Sequence, residues 1–314
     1  MANGGVRLVT CDSNAAEYMQ CEGADIMNAM VIGAGGAGRI HAHELSSRGI
    51  EVAVHDVDMA RAATLAKEVG VGVEADAGAD GYDLAVVAVP ACAHREVAEA
   101  QVDRGRIVVC EKPLALYPED AEALTELDGL YIAESQCYAG DDSLHIARQA
   151  QAIQHPTIWQ VVASTTYRPQ AWYDKLHIGG GTFLEGGAHI LTTARVLFGE
   201  AVSWQGAVRC FAGGDGPDSG TFLIEYERGD ILSLSIYWGT EGCFTGACDP
   251  IGGVGGLIDA QEARSWWPAD NHSAMWDHLL KCISGEAEPV ATLHHAAGAV
   301  ADAWRCYEAA GVSR

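Results

Sequence analysis

The sequence predicts an α/β protein, with a doubly wound parallel sheet in its first half and an α+β domain with a large, mostly antiparallel open sheet in its second. Three observations carry this reading. Short apolar runs alternate with helical stretches between residues 28 and 134. One run, Leu84 to Val89, is apolar at every position, as a strand covered on both faces must be. In the second half the strand candidates lengthen, and two of them flank Glu227-Arg228-Gly229-Asp230, which reads as a hairpin.

Asn28 to Ile32 forms the first strand and runs into a Gly-rich turn. A helix follows over Arg39 to Arg48, stopped by Gly49. Ile50 to His55 is the second strand, closed by Asp56. Asp58 caps a helix reaching Lys67, with Gly70 beyond its end. Pro90 ends the central strand, and a helix runs from His94 to Arg104. Ile107 to Cys110 is a strand, Glu119 to Leu127 a helix and Leu130 to Glu134 a strand. The second half predicts strands at Ile158 to Tyr167, Val202 to Arg209, Thr221 to Tyr226 and Ile231 to Tyr237. Its helices are Phe183 to Phe198, Ser273 to Ile283 and Leu293 to Ala310. These elements divide the chain into an N-terminal extension (1–26), a doubly wound α/β domain (27–138) and an α+β domain (139–314). Val6 to Thr10 is an additional edge-strand candidate within the extension.

The 314 residues carry 19 basic and 43 acidic side chains, a formal net charge of −24. This excess argues against nucleic-acid partners and anionic membrane surfaces. It leaves room for an anionic ligand at a helix N-terminus, where local dipoles outweigh global charge. No apolar run approaches the roughly 18 residues of a membrane span, and the first 26 residues lack the pattern of a secretory signal. The ten cysteines form no Cys-x-x-Cys pair and read as reduced thiols of a cytoplasmic protein. Cys243 and Cys248 lack a matching second pair, so no metal site is expected. His41 and His43 point apart on a helix, His294-His295 reads as surface, and Trp266-Trp267 reads as packing or a subunit contact.

Gly33-Ala34-Gly35-Gly36-Ala37-Gly38 is a G-x-G-x-x-G turn between a strand and a helix, with an acid, Asp56, closing the next strand. Gly33 permits the tight turn, Gly35 lets the backbone approach a pyrophosphate, and Gly38 lets the helix pack on the strand. Ala37 and Arg39 belong to the same first helical turn. Asp56 is suited to the adenosine ribose hydroxyls and repels a 2′-phosphate, which favours NAD over NADP. Pro90 to His94 and Glu111-Lys112-Pro113 follow two further parallel strands, at the sheet edge where ligands bind. Lys112 is one of only four lysines, and at such an edge it is an acid/base or oxyanion candidate.

The glycine turn, Pro90 to His94 and Glu111-Lys112-Pro113 together resemble the Gfo/Idh/MocA family, which takes its name from glucose–fructose oxidoreductase, inositol dehydrogenase and a rhizopine-catabolism protein. The run Gly179-Gly180-Gly181-Thr182-Phe183-Leu184-Glu185-Gly186-Gly187-Ala188-His189 is similar to the family's Gly-rich stretch, acid and histidine. The closing helix also resembles the family's end, so the likeness extends from residue 27 onward. The resemblance implies pyridine-nucleotide redox chemistry on sugars or cyclitols, with Lys112 and His189 as catalytic residues and Glu185 in place of the usual Asp. It also implies a homodimer or homotetramer built on the open sheet. Thr192 replaces an acid or His found in many members and is the substrate-contact candidate at that place, and Cys137-Tyr138-Ala139-Gly140 replaces a segment that often contains Arg.

Glu185 and His189, spaced i and i+4, are expected to share a helix face. Tyr167, Arg168, Trp172 and Tyr173 are candidates to line a sugar pocket, or equally a packing cluster at a sheet end. Two other readings use the same fold: redox-neutral elimination or glycoside cleavage on tightly held NAD, and a non-catalytic nucleotide sensor.

Overall fold

The apolar run beginning at Leu84 lies at the middle of the first sheet. The computed structural model describes residues 26–138, 156, 158–166, 175–211, 213–239, 247–251 and 271–313. Six strands, β1 (Asn28–Ile32), β2 (Glu51–His55), β3 (Gly72–Val73), β4 (Leu84–Val87), β5 (Ile107–Glu111) and β6 (Leu130–Ala133), stand in the order β3-β2-β1-β4-β5-β6. Every neighbouring pair is parallel. All four residues of β4 are fully buried, because helices cover both faces. The crossovers contain α1 (Gly36–Ser47), α2 (Met59–Val69), α3 (His94–Val102) and α4 (Pro118–Thr125). Strand order reverses between β1 and β4, which opens a crevice at their carboxyl ends.

The second sheet has β7 (Ile158–Thr166), β8 (Ala201–Arg209), β9 (Ser219–Tyr226), β10 (Ile231–Gly239) and β11 (Ala247–Ile251), in the order β11-β7-β10-β9-β8. β7 pairs with β10 in parallel, and the remaining pairs are antiparallel. One face buries Trp159 and Val161 of β7, Phe222 and Ile224 of β9, and Leu232 and Leu234 of β10. The alternate positions face outward, as a two-residue period requires. Two helices, α5 (Gly181–Glu185) and α6 (Gly187–Phe198), precede β8. Phe198 of α6 meets Trp159 and Tyr226 edge-on, with ring centroids 6.2 and 5.4 Å apart, and so joins helix to sheet.

The chain closes with α7 (His272–Ile283) and α8 (Leu293–Ala309), which return to the first sheet. Arg48 at the end of α1 donates to Asp277 of α7 at 2.7 Å. The Trp304 indole of α8 donates to the Leu116 carbonyl at 2.8 Å and stacks on Tyr117. Arg195 of α6 makes a two-pronged bond to buried Asp302 of α8, at 2.8 and 3.0 Å. The C-terminal helices therefore clamp the two sheets together.

Most predicted elements recur with ends displaced by one to three residues. The exceptions have local causes. The single helix expected over 183–198 is interrupted at Gly186, which ends α5 and starts α6. β3 has only two residues, too few to show a period. β11 contains Pro250, which a sheet accepts at an edge, and β11 is an edge strand. His295 is a capping residue rather than a free surface group: its ring and the Thr292 side chain close the N-terminus of α8 reciprocally. Val6–Thr10, Tyr167, Arg168, Trp172, Tyr173, Cys243 and Trp266-Trp267 lie outside the described residues.

Candidate active site

The glycine turn is built by steric necessity. Gly33 has φ +111°, and a Cβ there would fall 2.2 Å from the Ala88 carbonyl oxygen at the end of β4. A Cβ on Gly38 would fall 1.8 Å from the Gly33 oxygen, so only glycine lets α1 pack against the turn. Gly35 and Gly36 differ, since a Cβ on either meets nothing within 4 Å. Their backbone lines open space at the N-terminus of α1, the position suited to an anion. Ala37 is half-buried and Arg39 is exposed on the first turn of this helix.

Asp56 braces the turn. One carboxylate oxygen accepts from the Ala34 N–H and the other from the Asp58 N–H, both at 2.8 Å. The residue is 7% exposed, so the carboxylate is fixed at the tip of β2 while each oxygen retains further acceptor capacity. Open backbone at the pyrophosphate position and a fixed acid at the ribose position fit a dinucleotide. Asp56→Ala is expected to weaken NAD binding about tenfold or more and to narrow the NAD-over-NADP ratio, as binding titrations with both nucleotides will show.

Pro90 is exposed at the end of the β4 segment, and a single 3₁₀ turn at Ala91–Ala93 leads into α3. His94 was expected at the cofactor. It lies 1% exposed, with its ring nitrogens 2.8 Å from the Pro113 and Val89 carbonyls. Its ring ties the loop after β4 to the loop after β5, and burial lowers its pKa despite the carbonyls and Glu111.

Glu111, the last residue of β5, bonds His41 of α1 at 2.8 Å and accepts from the Lys112 N–H at 3.0 Å. Burial pulls its carboxyl upward, but the bond to His41 and the charges of Lys112 and His272 outweigh this and hold it at about 2. The Lys112–Pro113 peptide is cis. From this turn the Lys112 ammonium reaches the second domain, donating to the Glu185 carbonyl at 3.0 Å and lying 3.6 Å from the Glu185 carboxylate.

His189 follows Glu185 by one turn of chain, and the two engage different partners. Glu185 is engaged with Lys112. The Nδ1 of His189 instead lies 2.5 Å from a carboxylate oxygen of Glu134, immediately after β6. The Glu134 side chain is fully buried, and the His189 side chain keeps 14% exposure. Sequence reasoning missed Glu134 because it reads as the last residue of a strand. The one available signal was its position, an acid at the carboxyl end of a parallel strand. Thr192, expected at the substrate, is buried at 2% exposure. The glycine run before Glu185 is held from α8: the Tyr307 hydroxyl donates to the Gly180 carbonyl at 2.7 Å and accepts from the Phe183 N–H at 3.1 Å. Among the described residues no cluster of His, Cys, Asp and Glu has the arrangement of a metal site.

A six-stranded parallel sheet with a glycine cradle at its point of reversal, joined to a sheet domain that supplies a histidine, defines a two-domain dinucleotide-binding protein. The family described as "Oxidoreductase family, NAD-binding Rossmann fold" matches residues 27–128, and "GFO/IDH/MocA C-terminal domain" matches residues 152–248. The chain belongs to the Gfo/Idh/MocA family. Myo-inositol dehydrogenase Hyg17 of Streptomyces leeuwenhoekii is 40% identical over 106 residues, 32% of this chain and 33% of that protein. Matches to curated relatives cover between 33% and 53% of those proteins, so the chain spans about half their length or less.

Two solved structures share the fold across nearly the whole chain. GenD2 from gentamicin A biosynthesis, in complex with NAD, has a TM-score of 0.78 and 20% identity, covering 98% of each chain. The WlbA dehydrogenase from Bordetella pertussis, in complex with NADH and UDP-GlcNAcA, has a TM-score of 0.79 and 17% identity, covering 93% of this chain and 96% of that one. At these identities the likeness is one of fold.

Proposed function

We propose that the chain is an NAD-dependent dehydrogenase or reductase that moves hydride between nicotinamide and a carbinol or carbonyl carbon of a sugar, cyclitol or related polyol. The observation that carries this reading is the pair of charge-supported groups at the carboxyl ends of β5 and β6, on the same sheet edge as the dinucleotide cradle: Lys112 with Glu185 and His189 with Glu134. Gly33, Gly35, Ala37, Gly38, Arg39, Asp56 and the loops at Pro90 and Glu111 would hold the cofactor. When bound, NAD supplies the hydride acceptor.

The chain's own groups manage the proton and the developing charge. With Nδ1 committed to Glu134, proton exchange falls to Nε2 of His189, which takes the substrate hydroxyl proton as the C–H bond breaks and C=O forms. Buried Glu134 orients the ring and stabilises the imidazolium. The Lys112 ammonium stabilises the oxygen as it gains negative charge. Glu185 holds that ammonium at the domain boundary and is available to a second substrate hydroxyl. Reduction runs the same roles backward.

Two further parts of the reading have separate support. The outer face of the second sheet exposes Ile158, Val162, Val202 and Leu223 by 39% to 52%, which favours a homodimer or homotetramer through this face. Cys92, Cys110, Cys137, Cys210, Cys282 and Cys306 are free, in keeping with a cytoplasmic protein. No helix among the described residues is long and apolar enough to cross a membrane.

The test follows nicotinamide absorbance with NAD and NADP across cyclitols, aldoses, amino sugars and nucleotide sugars, with Lys112→Ala in parallel. The expected result is turnover with NAD that falls at least about 100-fold in the variant. Undiminished turnover in Lys112→Ala would overturn the role given to Lys112. NAD that survives purification without net turnover would point to redox-neutral chemistry instead.

A further inference from the structure

A second buried network is built on Glu111, the residue immediately before Lys112. Trp276 of α7 donates its indole N–H to Nδ1 of His41 at 3.1 Å. Indole can only donate, so Nδ1 is the acceptor nitrogen and Nε2 carries the proton. Nε2–H then donates to one oxygen of Glu111 at 2.8 Å, and the other oxygen accepts from the Lys112 N–H at 3.0 Å. Trp276 and His41 are fully buried and Glu111 is 8% exposed. The groups span three elements distant in sequence: α1, the end of β5 and α7.

The chain of donors has one direction. Indole fixes the imidazole tautomer, imidazole supplies the carboxylate with a donor, and the carboxylate holds the backbone from which Lys112 extends. A buried carboxylate without such a donor takes up a proton far more readily. A protonated Glu111 would lose its charge beside Lys112 and its strong hold on the Lys112 N–H. Among the described residues, Lys112, His94, His272 and the Cys110 thiol are titratable groups that face this cluster, and the His272 ring stands edge-on to His41 at 6.0 Å.

We propose that His41 is a positioning residue for Lys112 and acts through Glu111. It keeps the acid ionised and the turn fixed, so that the Lys112 ammonium is presented at one place and in one electrostatic setting. The proposal rests on the assignment of Lys112 to the reaction, but its test needs no substrate.

The chain has only four lysines, so reductive ¹³C-methylation gives a spectrum in which Lys112 is assigned by its loss in Lys112→Arg. His41→Leu removes the donor to Glu111, whereas His41→Gln keeps an N–H near the position of Nε2. In His41→Leu the Lys112 resonance is expected to move and to acquire a titration step between about pH 5 and 8 that the wild type lacks, as Glu111 takes up a proton. The Lys67, Lys175 and Lys281 resonances stay in place. His41→Gln is expected to remove the extra step. Trp276→Phe, which leaves the Glu111 donor in place, serves if His41→Leu does not fold and is expected to displace the Lys112 resonance by less.

A Lys112 resonance that titrates identically in wild type and His41→Leu would overturn the proposal, as would an unmoved resonance in Trp276→Phe if that variant must be used. Where a substrate is in hand, kcat is expected to fall about tenfold in His41→Leu with NAD affinity retained. A wild type silent toward every polyol would count against the redox reading and leave the resonance result standing.

Discussion

His189→Ala is expected to lower kcat by about 10³-fold while NAD affinity stays within a few-fold of wild type, because in the proposed mechanism the imidazole exchanges the substrate proton and does not hold the dinucleotide. The informative companion is Glu134→Gln. Its side chain is nearly isosteric, and its amide oxygen can still accept from Nδ1–H of His189. It therefore preserves ring orientation but removes the buried negative charge proposed to stabilise the imidazolium. A loss of about 10²-fold in kcat, with KM for the substrate little changed, is the expected outcome for a charge that acts in the transition state. Were Glu134 only a packing residue, the isosteric amide would turn over at the wild-type rate. Steady-state kinetics of the two variants, with NAD binding measured by fluorescence, separates these outcomes. Glu185→Gln should behave differently, since Glu185 engages Lys112 and His189 engages Glu134.

What the sequence made legible follows the range of the interactions. The parallel sheet was readable because its signals are local: an apolar run at Leu84, a cap at Asp58, a glycine after each helix. The cradle was readable for the same reason, since Gly33 to Gly38 and the strand that ends at Asp56 lie within one βαβ unit. The acid partners were not. Glu134 and His189 are 55 residues apart and His41 and Glu111 are 70 apart. Trp276 reaches His41 across 235 residues. No periodicity records such pairs, and the i, i+4 rule pointed to the nearer acid, Glu185. That spacing holds no record of Lys112, 73 residues before Glu185, which is the partner Glu185 takes. Tyr307 shows the same limit from the other side. It reads as one more apolar position on the last helix, yet its hydroxyl fixes the glycine run 127 residues earlier.

The glycines of the cradle should part company under substitution. Gly38→Ala is expected to destabilise the protein by about 3 kcal/mol, because the new methyl would lie 1.8 Å from the Gly33 oxygen and α1 must lift from the turn. Gly35→Val is expected to leave the melting temperature close to that of wild type. Gly35 has φ −85°, a value any L residue adopts, and its Cβ direction meets nothing within 4 Å. Yet the same variant should lose NAD affinity by about 100-fold, since the isopropyl group occupies the space where the pyrophosphate must approach the backbone. Calorimetry and NAD titration on the two variants read stability and binding independently. If Gly35→Val bound NAD like the wild type, the open space above the first turn of α1 would not be the phosphate site. A wild-type melting temperature in Gly38→Ala would mean that the close packing of α1 on the turn contributes little to the fold. Low stability in one variant and lost binding in an otherwise intact second one would place the ligand and the packing on opposite faces of a single turn of six residues.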